Sequence, residues 1–168
     1  DNKLKINGNN AQFISNKAIN TENDAYGGAI YTEGILEITG ANFTNNTASG
    51  NNNAYGGAIY CQGLNMHNTT FTNNSAITTN EYPNENGHGG AIYIDFHGNM
   101  NTKITTQDEW GYSEQYYQNL MIFENTTFTN NTAHHGGAVY IVNQDYSDGM
   151  ILNLNNTTFE NNTANKGK

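Results

Sequence analysis

The sequence predicts an all-β fold: a right-handed parallel β-helix of about four and a half coils, each built from three short strands. Two observations carry this. Three short apolar blocks recur in a fixed order along the 168 residues, and no segment shows the i, i+3, i+4 spacing of an amphipathic helix over ten residues. The blocks instead alternate with period two and are bounded by Gly, Asn and Asp, as strands are. A repeat of this size cannot bury its own apolar face, so it must stack on its neighbours.

The first block is Gly-Gly-Ala-Ile/Val-Tyr at 27–31, 56–60, 89–93 and 136–140. Side chains alternate across a strand. Ile30, Ile59, Ile92 and Val139 therefore point inward, together with the column Thr32, Cys61, Ile94 and Ile141. Tyr31, Tyr60, Tyr93 and Tyr140 then face outward, where they form a ladder that steadies the sheet or a surface that stacks on a partner. The Gly pair suits a corner that needs unusual φ or close approach of the next coil. The second block is an apolar pair: Leu36/Ile38, Leu64/Met66, Leu120/Ile122 and Leu152/Leu154, all read as inward. The third is Phe-x-x-Asn followed by Ala, with Phe43, Phe71, Phe128 and Phe159 as an interior aromatic stack. Its asparagines, Asn46, Asn74, Asn131 and Asn162, suit a corner because Asn tolerates the left-handed region and its amide can bond to the amide one coil away. Leu4/Ile6 and Phe13/Asn16/Ala18 supply a partial copy at the start.

Composition narrows the function classes. The chain is 12% charged with a net charge of −9 and has no Arg. Without a cationic cluster it cannot neutralise phosphates, so nucleic acid is not an expected partner, and anionic membrane surfaces repel it. Cys61 is the one cysteine, so no internal disulfide forms; set in an inward column, it reads as a small buried hydrophobe. Neither a signal peptide nor an apolar run long enough to cross a membrane is read in these residues, so export and anchoring parts are expected outside them. The chain is read as a single β-helix segment over 1–168, a piece of a larger surface protein, with an inserted loop at 95–118.

The alternation of "GGAIY" with "FTNNTA" resembles two groups of surface proteins. One is the polymorphic outer-membrane proteins of chlamydiae, whose passenger regions carry GGAI and FxxN repeats. The other, similar in its Asn/Thr richness, is the adhesin-like proteins of methanogenic archaea. The resemblance covers nearly the whole chain except the insertion. It implies a secreted or cell-surface passenger used for attachment, and no catalytic residues.

The expected function is therefore non-enzymatic recognition of a glycan or protein on a host or neighbouring cell, with adjacent β-helix coils of the parent chain as further partners. Loops inserted at matching corners of neighbouring coils are the usual seat of function on such a scaffold. The candidate ligand-binding residues are Trp110, Tyr112, Tyr116 and Tyr117 in the long insertion, beside Asp145, Tyr146 and Asp148 in the loop at 142–150. Aromatic rings can stack on a sugar or peptide while carboxylates accept its hydrogens. The bland reading of the same residues is a self-packed loop whose rings shield the coil. Asp145, Asp148 and the acids at 108, 109 and 114 could supply oxygen ligands for Ca²⁺; no other cofactor is expected. The residue before each Gly pair is Tyr26, Tyr55, His88 and His135, with His134 alongside; without a thiolate or a set spacing the histidines read as part of a polar corner column in which His substitutes for Tyr, and not as a metal site. Alternatives are a structural stalk whose binding tip lies elsewhere, or a polysaccharide lyase or hydrolase using paired carboxylates. Nine Asn-x-Ser/Thr sequons occur, Asn45 and Asn73 among them, and a secreted protein can carry glycans there.

Overall fold

A computed structural model describes residues 3–80, 86–97, 100, 102–144 and 149–165. Among these there is no helix; every regular element is a strand. The chain winds as a right-handed parallel β-helix of about five turns, and corresponding residues of successive copies lie on one another. Phe13, Phe43, Phe71, Phe128 and Phe159 pair in register, as do Ile30, Ile59, Ile92 and Val139. Each coil carries more strand than three blocks predict. After the Phe strand comes an alanine strand, such as Thr47–Gly50 or Ser75–Thr78, and then a two- or three-residue strand, such as Asn53–Tyr55. Ala48, Ala54, Ala76 and Ala133 are buried along that side, where only a methyl fits.

The interior is set by ring stacking. Phe13–Phe43, Phe43–Phe71, Phe71–Phe128 and Phe128–Phe159 have centroids 4.6, 4.8, 5.0 and 4.8 Å apart and are within 9° of parallel. This matches the rung spacing of a sheet, so each ring covers the next without any strand having to move. Burying one such ring is worth roughly 1.5–3 kcal/mol.

Beside the phenylalanines runs a ladder of amides. The Oδ1 of Asn74 accepts from both the backbone N–H and the Nδ2 of Asn46, each at 3.0 Å. Asn74 in turn donates both groups to Asn131 Oδ1 at 2.9 Å, and its Nδ2 also reaches Phe43 O at 3.0 Å. Asn16 and Asn162 extend the column on either side. Asn46, Asn74 and Asn131 are completely buried, so these bonds replace water that cannot enter. The amide bonding is as the sequence predicts, but the corner is placed one residue earlier. Left-handed φ values near +55° belong to Asn45, Asn73, Asn130 and Asn161, which are exposed, while the ladder asparagines follow them.

The Gly pair does two different jobs. Gly56 has φ +68°, which an L side chain rarely adopts. A β-carbon on Gly57 would lie 2.0 Å from Gly90 O and 2.5 Å from Ser75 N, because the coil is pinched here against its own opposite wall.

One inward assignment is corrected. In the third copy the buried pair is Met121 and Phe123, not Leu120 and Ile122. Phe123 pairs with Met66 and Met121 with Leu152, so the strand enters one residue later than its letters imply. The spacing of five residues from the last inward residue to the Phe column, as from Met66 to Phe71, carried that signal.

Two substitutions test the ladders. Phe71→Ala should lower unfolding stability by about 3–5 kcal/mol in urea titrations. Asn74→Asp sets carboxylate oxygens against Asn131 Oδ1 and Phe43 O. It should cost at least about 2 kcal/mol at neutral pH, and part of that loss should return under acid, when the protonated carboxyl regains a donor. An unchanged midpoint for either variant would remove the stacking account.

Candidate functional site

Two features stand outside the core: an aromatic corner and a projecting hairpin. At the corner the predicted outward file Tyr31–Tyr60–Tyr93–Tyr140 is stacked at 5.1, 5.5 and 5.7 Å. A second file, Tyr26–Tyr55–His88–His135, stacks beside it at 5.1, 5.4 and 5.0 Å. The files interleave edge to face, as in Tyr26–Tyr60 at 5.3 Å and Tyr55–Tyr93 at 4.8 Å. Tyr60 and Tyr93 point away from the core yet are only 9% and 8% exposed, because their faces cover one another. The corner therefore braces the sheet and offers ring edges outward. Tyr31, half exposed, has a neighbour in its own file on one side.

Acidic groups tie the corner's phenols down. Tyr60 donates to Asp95 Oδ2 at 3.0 Å and Tyr26 to Asp24 Oδ2 at 3.1 Å. Burial, with the adjacent carboxylate, pushes the Tyr60 phenol far above its ordinary range and that of Tyr26 up to about 12. Burial also lowers His88 to about 4, helped by His135 and His134. Cys61 is buried and its thiol is pushed up to about 12 by desolvation, so it is not a ready nucleophile.

The hairpin departs from the coil within the insertion. Asp95 and Phe96 still belong to the Gly-Gly strand, and Phe96 and Met100 are buried in the core. Thr102–Gln107 then runs antiparallel to Ser113–Gln118, and the second strand continues unbroken to Glu124 inside the helix. A rigid core strand thus carries the tip. Asp108 fixes that tip: its Oδ1 accepts the N–H of Trp110 at 3.0 Å and of Tyr112 at 2.8 Å. Asp108 N–H donates to Tyr112 O, Gly111 N–H to Asp108 O, and Gly111 takes φ +84°. Trp110 is 80% exposed and Tyr112 76%.

Of the predicted ligand residues, Trp110 and Tyr112 therefore sit together at the tip, and the shielding role imagined for them is not what these two rings do. Tyr116 and Tyr117 lie in the returning strand, paired with Ile104 and Lys103; their rings lie outside the described residues, as do Asp145, Tyr146 and Asp148. Among the described residues no three His, Cys, Asp or Glu side chains gather as a metal site. A shallow groove of about 350 Å³ lies on the outer face between Lys5, Glu37, Asn65, His67 and Ile122. Its polar side chains are engaged internally, Lys5 in an ion pair with Glu37 at 2.7 Å and His67 in a hydrogen bond with Glu124 at 2.7 Å. The hydrogen bond from Lys5 holds the Glu37 carboxyl below its usual range. Sequence reasoning passed over this groove and the interleaving of the two ring files. The second file itself is legible in the sequence as a corner column, because the residue before each Gly pair is Tyr or His every time.

Comparison with known proteins agrees with the repeat. Residues 40–62, 68–95 and 125–142 match the family model of the Chlamydia polymorphic membrane protein repeat. These segments hold three of the Gly-Gly blocks and three complete Phe-x-x-Asn blocks, those of Phe43, Phe71 and Phe128. The chain thus resembles those proteins in its repeat, and repeat and solenoid together fit a surface passenger segment. No curated protein and no solved structure gives a match.

The corner yields a pH prediction. His88 faces Tyr55, Tyr93, Tyr140, His134 and His135. Its folded pKa lies below the unfolded value, so its contribution is complete above about pH 6.5 and is lost as the pH falls toward 4. His88→Tyr continues the file begun by Tyr26 and Tyr55. Its urea midpoint should fall less between neutral pH and pH 4.5 than that of the parent chain; parallel curves would refute the assignment.

Proposed function

We propose that this chain is a segment of an extracellular, adhesin-like β-helix that attaches one cell to another surface, and that the hairpin tip at 108–112 is its point of contact. The observation that carries this is the pair Trp110 and Tyr112, standing largely in solvent on a tip whose backbone is held by Asp108. Large exposed rings on a pre-ordered support bind partners with little further loss of entropy. The β-helix beneath is the spacer that holds them away from the cell. Attachment is multivalent, with weak contacts summed over many copies on one surface. The reading is non-enzymatic: the groove carboxylates are engaged with Lys5 and His67, and the corner acids with tyrosine hydroxyls. A surface location follows from the same reading and from the resemblance to membrane-protein repeats.

A second reading, the structural stalk, has its own support. Every residue type that defines the repeat, Gly-Gly, Phe, Asn and Tyr, is spent on stacking. The two readings separate in one experiment. Beads coated with the chain are allowed to settle on intact cells and are then washed, alongside beads carrying Trp110→Ala/Tyr112→Ala. Retention should fall at least about fivefold for the double variant, the usual consequence of removing two aromatic anchors. Equal retention of both bead types would leave the stalk.

A further inference from the structure

The hairpin tip is unbalanced in its hydrogen-bonding groups, and that imbalance selects a partner. The backbone N–H groups of Asp108, Trp110, Gly111 and Tyr112 are all spent inside the turn. The side-chain amide of Gln107 is spent there too, donating to Gly111 O at 3.2 Å. Around them, Asp108, Glu109 and Glu114 are exposed, and no Lys stands between Thr105 and Gln115. Glu114 lies directly across the hairpin from Thr106, in the second pair from the turn and two residues along the strand from Tyr112. The tip therefore offers acceptors, negative charge and the π-faces of Trp110 and Tyr112, with few donors.

Each of these prefers a cation. Ring faces attract ammonium and guanidinium groups through their quadrupole, and carboxylates add charge-assisted hydrogen bonds. A neutral sugar needs donors as well as acceptors around its hydroxyls, and the turn has used its backbone donors, leaving the Trp110 indole N–H and the Tyr112 hydroxyl against three carboxylates. An anionic glycan, a nucleic acid or a lipid headgroup is repelled by the three carboxylates and by the chain's net charge of −9. Resting on the reading of the tip as the contact point, we infer that its partner is a protein surface exposing Arg or Lys side chains. Trp110 and Tyr112 sandwich or cap the cationic heads, and Glu109 and Glu114 bind their N–H groups.

Trp110 is the chain's one tryptophan, so its emission reports on the tip alone. The whole chain is titrated with an octapeptide of alternating Gly and Arg, with its Gly/Gln counterpart, and with cellohexaose. The Gly/Arg peptide should shift Trp110 emission saturably, while the other two should not. Glu109→Gln/Glu114→Gln should weaken the Gly/Arg peptide about tenfold, and raising the salt from about 50 to about 300 mM should do the same. Saturable binding of cellohexaose, untouched by the Glu variants, would overturn the cationic partner and leave the tip as a contact site. Peptide binding detected by calorimetry without any change in Trp110 emission would overturn the partner and the site together. Silence from all three probes would overturn the cationic partner.

Discussion

Everything in this molecule depends on like residues meeting like at the spacing of parallel strands. The phenylalanine rings, the asparagine amides and the corner tyrosines all repeat at about 5 Å, and no single ladder fixes that distance alone. Backbone bonding between coils sets it, and the side chains that survive are those able to satisfy themselves with a copy of their own kind. Phe does so by offset ring contact, Asn because its amide is both donor and acceptor. Neither Lys nor Glu could, which accounts for a chain that is 12% charged.

Because the motif is consumed by stacking, the large aromatic side chains that stand free of it lie in what interrupts it. The hairpin is one such interruption, and its attachment is economical: a core strand simply runs on past the edge of the solenoid. The same twelve residues bury Met121 and Phe123 at one end and hold the turn of Trp110 at the other. Solenoids are close to one-dimensional in their energetics, so an insertion of this sort disturbs only the coils it touches. Met100 shows the local adjustment, with its sulfur filling the space beside Gly63 where a side chain would otherwise stand.

Most of the fold could be read from letters, and the failures have definite causes. Gly-Gly, Phe and the ladder asparagine were legible because each occupies a place only its own chemistry fits. The left-handed corner was misplaced by one because two adjacent asparagines, such as Asn45 and Asn46, look alike in sequence while one turns the chain and the other fills the interior. Leu120 and Ile122 misled because Leu-Met-Ile-Phe is apolar throughout, so alternation alone could not say which pair faces in; the count back from Phe128 could. At the candidate site the exposure of Trp110 was not legible. Thr102–Gln107 and Ser113–Gln118 alternate too weakly to announce a hairpin, and a loop rich in rings reads equally well as packed or projecting.

The asparagine column also has a direction. From Asn46 to Asn131 each member gives its backbone N–H and one amide hydrogen to the Asn of the coil that follows, while its oxygen accepts from the Asn before, so the Asn-to-Asn bonds all point one way along the axis. The solenoid is thus a polar rod, with its amide oxygens aimed toward the first coil. A repeat unit spliced in must respect that vector: reversed, it would set carbonyl against carbonyl at the one interior point where water cannot mediate.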